Sequence, residues 1–115
     1  MGILLIDREV PSFEGGVGHV WIEEPAPADA LARKLAETRV DEIAHCSGVA
    51  EEIAFRIRGP DGWPADARLR AWVDVGGRGR PGPDDLYSTE AVKLSDAPCV
   101  LRVEASSRGE ERSQQ

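Results

Sequence analysis

The chain is poor in the side chains from which most active sites are built. Its 115 residues include two cysteines, two histidines, one tyrosine and one methionine. Two cysteines, Cys46 and Cys99, are too few for a disulfide scaffold, and they read as two free thiols or at most a single bridge. With His19 and His45 they are the only soft ligands, and no C-x-x-C or H-x-x-x-H spacing joins them, so neither a metal nor a cofactor is expected. Long apolar runs are also missing. No stretch reaches the ~20 residues that a membrane-spanning helix needs. The apolar start at residues 3–6 is cut short by Asp7 and Arg8, too soon for a secretory signal, which as written places the chain in the cytoplasm; an envelope location would follow if a signal had been removed. Basic residues are the minority, 14 against 21 acidic, for a net charge of −7. Such a surface repels phosphate backbones and makes nucleic acid an unsuitable partner.

Nucleotide and nucleophile motifs fail on inspection. There is no G-K-[ST], so a Walker loop is excluded. Gly77-Arg78-Gly79-Arg80-Pro81-Gly82 matches G-x-G-x-x-G, but Pro81 and Pro83 interrupt the place where a dinucleotide-binding helix would open. It reads as a hairpin loop. Ser47 precedes Gly48 outside any G-x-S-x-G elbow, and a Cys–His pair has no visible orienting group. The acidic doublets Glu23-Glu24, Glu51-Glu52 and Asp84-Asp85 read as solvated charge. No catalytic site is expected; an enzyme using Cys46 or Cys99 is the remaining catalytic alternative.

What the chain does have is alternation. In residues 53–58, Ile53, Phe55 and Ile57 share one side and Arg56 and Arg58 the other. In residues 68–75, Leu69, Ala71, Val73 and Val75 share a side. A period of two gives a sheet one dry and one wet face. Turn formers Pro60, Asp61, Gly62 and Pro64 separate the runs. Residues 3–6 suggest a short strand at a sheet edge. Residues 12–18 are turn-rich around Gly15-Gly16 and lead into a strand over 17–23. Further strands are expected in 86–94 and 99–104. Residues 28–44 stay open: Leu31, Leu35 and Ile43 fit one helical face, while a turn at 28–30 followed by an extended run fits as well. The expectation is an all-β fold, a small antiparallel β-sandwich of about seven or eight strands. It occupies residues 1–105 as one domain, with a disordered tail over 106–115.

Three tryptophans, Trp21, Trp63 and Trp72, weight the small aromatic set toward the residue most used at contacts. Trp72 falls out of phase with Leu69, Ala71 and Val73, on the polar side of its strand with Arg70 and Asp74. Either another element covers the ring, or Trp72, Arg70 and Asp74 form a partner-contact patch.

The order of short segments also carries a resemblance. Gly18-His19-Val20-Trp21-Ile22-Glu23, Ala28-Asp29-Ala30, Leu35-Ala36-Glu37, Ile53-Ala54-Phe55-Arg56-Ile57, Leu69-Arg70-Ala71-Trp72-Val73 and Asp85-Leu86-Tyr87-Ser88-Thr89 together resemble the bacterial YbaY/YscW-type lipoprotein family, which includes pilotin-like chaperones of type III secretion. The likeness spans about residues 17–104. The family's usual signal and lipid-attachment cysteine are not in this sequence. The resemblance implies a compact β-sandwich, tips 28–44 toward turn plus strand, and supplies no catalytic residues. The function it implies is non-catalytic: binding another protein, or a second copy, as an assembly chaperone. The rival is a small-ligand accessory domain with a cavity between sheets.

Overall fold

In the computed structural model, residues 2–24, 33–59, 61–79, 82, 85–88, 92–93 and 99–105 are described. They form eight strands: β1 (Gly2–Ile6), β2 (Phe13–Glu24), β3 (Arg33–His45), β4 (Glu51–Phe55), β5 (Arg68–Asp74), β6 (Leu86–Ser88), β7 (Val92–Lys93) and β8 (Cys99–Ala105). The fold is the small all-β one expected. The strands join in a single sheet of order β3-β2-β5-β6-β8-β1-β4, with β7 added beside β5. The sheet rolls until β3 and β4 approach, so that it is nearly closed like a barrel, and its opposing walls supply the two packed layers. One pairing departs from the antiparallel expectation: β1 and β8 run parallel.

Alternation becomes the inside and outside of this roll. Leu69, Ala71 and Val73 on β5 meet Val20 and Ile22 on β2, Leu4 and Ile6 on β1, and Leu101 and Val103 on β8, all 2% exposed or less. Phe55 joins them at 4%, whereas Ile53, Ile57 and Val75 pack against the core only partly buried. The strand with Phe55 is shorter than the alternating run. Its pairing with β1 ends, among the described residues, at Gly2↔Phe55.

Two local expectations change, and an open one is resolved. β1 is not an edge strand but lies between β8 and β4. Its unbroken apolar run suits that place, because Leu4 and Ile6 face inward while Ile3 and Leu5 are half-buried outside. Second, Ser12–Gly18 is largely strand: β2 starts at Phe13 and absorbs its glycines as irregularities. Phe13 pairs with His45 and Gly16 with Ile43, leaving an extra residue on β2, with Gly15 at φ 74°; between Gly16 and Gly18 the extra residue is on β3, with Glu42 at φ 56°. Such bulges bend and twist a ribbon, which lets the long β2–β3 hairpin wrap the core. Residues 33–45, open between helix and extended run in the sequence, are strand, the side toward which the resemblance tips them. Residues 25–32 and the 106–115 tail lie outside the described residues, as do parts of the 86–98 segment.

Phe55→Ala removes a buried ring at the end of β4 and is expected to lower unfolding free energy by about 3–5 kcal/mol. Urea denaturation measures it, and a loss below about 1 kcal/mol would show that the ring is not in the core.

Candidate functional site on the outer face of β2, β5 and β6

The register between β2 and β5 sets the outer face row by row: Val17 opposite Asp74, His19 opposite Trp72, Trp21 opposite Arg70, and Glu23 opposite Arg68. Tyr87 on β6 continues the Trp72 row. Trp21, Arg70, Trp72 and Tyr87 thus stand together, all half-buried.

The neighbouring groups hold this set in place. Trp72 stacks on His19 with ring centroids 4.6 Å apart and planes 14° from parallel. Its indole N–H donates to Asp85 Oδ2 at 2.8 Å. One row along, Trp21 donates to Glu23 Oε1 at 3.0 Å, and the Lys34 ammonium lies 5.3 Å from its ring centroid. Glu23 Oε2 accepts from Arg68 at 2.8 Å, with Arg70 at 3.8 Å. Arg68 is the main partner of Glu23, which leaves the Arg70 guanidinium lightly engaged, with its side chain 40% exposed.

The structure brings two of the three predicted contact residues to this surface and removes the third. Asp74 is on the outer side of β5 but only 1% exposed. The chain turns over it, and its carboxylate accepts from the Arg78 N–H at 3.1 Å and the Gly79 N–H at 2.6 Å. Gly77 and Gly79 make that wrap with φ of 65° and 84°, a region that side chains with a Cβ disfavour. Of the described backbone donors in the G-x-G-x-x-G segment, the Arg78 and Gly79 N–H groups are thus given to Asp74. Trp72 lies between the two alternatives expected for it, anchored on one side by His19 and Asp85 and still partly open.

Asp85, whose doublet suggests solvated charge, is fully buried at 0% exposure. It accepts hydrogen bonds from Trp72, from the Val75 N–H at 3.1 Å and from the Gly82 N–H at 2.8 Å, with Arg78 3.9 Å away. Glu23, from another such doublet, is 8% exposed and serves the two basic residues and Trp21. An acidic doublet carries no sign of burial by itself. The usable signal was the glycine-rich turn after Asp74, where backbone donors must converge on something. Cys46 is an exposed free thiol, and Cys99 is buried. Among the described residues no three His, Cys, Asp or Glu converge to hold a metal, and no helix is long and apolar enough to cross a membrane.

No family model matches the chain, and no curated protein matches it. Among solved structures it is similar to an alternative pilotin from the type II secretion system of Vibrio cholerae, with a TM-score of 0.54 at 15% identity, covering 91% of this chain and 96% of that one. The chain has a pilotin-like fold. At that identity the likeness extends to the fold alone.

Asp74 generates a test in pH. Burial pushes its carboxyl upward, but hydrogen bonds from Gly79 and Arg78, the Arg78 charge and the Gly77 N–H outweigh it, and the group titrates below its ordinary value of 3.8. A depressed folded value contributes stability that is present above the unfolded pKa of about 3.9 and is lost as pH falls through the folded one. Asp74→Asn is therefore expected to be less stable than the parent at pH 7, with the gap narrowing as pH falls below about 4. Urea midpoints between pH 7 and pH 3 measure the gap; a gap independent of pH would contradict the assignment.

Proposed function

We propose that this protein is a non-catalytic binding or assembly-chaperone module of a bacterial secretion apparatus, related to the YbaY/YscW-type lipoproteins. It acts by holding another protein, or a second copy of itself, against the outer face of β2, β5 and β6. The observation that carries this reading is the grouping of Trp21, Arg70 and Trp72 on adjacent strands. Tryptophan and arginine are the residues that dominate contact energies when a partner desolvates them, and here two hydrogen-bonded tryptophans flank a lightly engaged Arg70 on a sheet whose buried side is used by the core. The likeness to the Vibrio cholerae pilotin supports the secretion context. The small-ligand alternative needs a cavity between the walls of the roll, where Leu4, Ile6, Val20, Ile22, Leu101 and Val103 stand with 0% exposure.

Arg70 is the position that separates contact from stability. Trp72→Ala would also remove the His19 stack and a hydrogen bond to Asp85, so its effects mix. Arg70→Ala leaves Glu23 paired with Arg68 and is expected to change stability by no more than about 0.5 kcal/mol. Sedimentation of the pure protein and co-purification from its native cells read association. A loss of about tenfold or more in complex, with an unchanged melting curve, is expected; a complex that persists undiminished would contradict the face.

A further inference from the structure

Where β3 ends and β4 begins, an open cleft of about 500 Å³ is lined by Ser12, Phe13, Glu14, His45, Cys46 and Glu51. Its volume lies in the ~300–1,000 Å³ range of ligand pockets. His45 lines it with a side chain that is 0% exposed. The imidazole Nε2 lies 3.0 Å from the Val10 carbonyl oxygen. A carbonyl can only accept, so Nε2 carries the hydrogen, and Nδ1 of the neutral ring is then an acceptor. Nδ1 is buried with no hydrogen-bond partner. The group facing it is another acceptor, Glu51 Oε1, at 3.7 Å.

Two acceptors opposed at that distance call for a donor, because a buried polar atom left unpaired is costly. A cationic N–H donor answers both at once, since it also neutralises Glu51. None of the cleft-lining residues supplies a cation. The other charged residue there is Glu14, and the Ser12 hydroxyl, which accepts from the Ser47 N–H at 2.8 Å, is not within hydrogen-bond reach of Nδ1. The cleft also opens beside an unpaired sheet edge. β3 and β4 are the two end strands of the sheet. On β3, Glu42 at φ 56° breaks the regular ladder, whereas β4 pairs with β1 in unbroken register and, among the described residues, has no strand hydrogen-bonded to its other side. A free regular edge accepts an extended chain through backbone hydrogen bonds.

We propose that this cleft binds an arginine or lysine side chain presented on an extended segment of a partner protein. The cation bridges His45 Nδ1 and Glu51 Oε1, and the segment adds to the free edge of β4. This site is separate from the outer-face contact and does not rest on it: Arg70→Ala leaves it intact, so either can fail alone.

The test uses the ¹⁵N-labelled full chain and three probes: acetyl-Val-Thr-Arg-Val-Thr-amide, the same peptide with citrulline replacing arginine, and ethylguanidinium. Ring nitrogen shifts are expected to report a neutral His45 with its hydrogen on Nε2 at pH 7.5. The arginine peptide is expected to give saturable shifts at the His45 ring and the β4 amides, with citrulline and ethylguanidinium each at least tenfold weaker. Glu51→Gln should weaken the arginine peptide at least tenfold; the citrulline comparison, made on the native chain, holds even if that variant folds poorly. A doubly protonated His45 would mean that the ring supplies its own donor and would overturn the proposal. So would equal binding of the citrulline peptide, ethylguanidinium binding as tightly as the peptide, or no saturable shift at the cleft.

Discussion

β1 is hydrogen-bonded on both sides, to β8 in parallel and to β4 antiparallel, and the rest of the roll depends on that placement. It ties the first described residues to the last, and among the described strands it alone connects β4 to the sheet. It also contributes Leu4 and Ile6, two of the largest fully buried side chains. The fit is close at its start, where a Cβ on Gly2 would come within 2.5 Å of the Phe55 ring and 2.8 Å of the Cys99 carbonyl. A side chain there would have to push apart the two strands that β1 joins. Pairing between the ends of a chain forms only after a large loop has closed, which favours slow, cooperative folding over piecewise assembly.

Buried carboxylates organise the outer face as firmly as apolar side chains organise the core. Asp74 and Asp85 each gather backbone N–H groups from the turn after β5, and Asp85 extends the same network to the Trp72 indole. Glu23 does the corresponding work for Trp21, Arg68 and Arg70. Large side chains that would otherwise sample many rotamers are thereby held in fixed positions, which lowers the entropy cost of binding on that face. Protein contact is thus a reading that the physics of the surface supports, independently of the pilotin-like fold.

Much of the interior was legible from periodicity. Leu69, Ala71, Val73 and Phe55 are inside because a period of two admits only one arrangement once one face must be dry. The placement of β1 was not legible, since Ile3 to Ile6 is equally compatible with an edge and with an interior strand, and neighbours across the sheet are set by contacts distant in sequence. Residues 28–44 show the same limit: Leu31, Leu35 and Ile43 satisfy a helical period, but pairing with β2 over residues 33–45 overrides local propensity. At the candidate site Trp72 and Arg70 could be found by phase alone. Asp74 shares their phase, yet the turn folding back over it takes it out of the surface. His45 was unremarkable in the sequence, and its unpaired Nδ1 is a product of where the Val10 loop comes to rest.

Amide hydrogen exchange tests the central placement of β1 most directly. The account predicts that Leu4, Leu5 and Ile6 amides exchange only through global unfolding, with protection equal to that of Val20 and Ala71 in the middle of the sheet. Exchange of the β1 amides at the rate of the exposed turn at Val49, while β2 and β5 stay protected, would show that the strand is not held between β8 and β4 and would contradict the fold described.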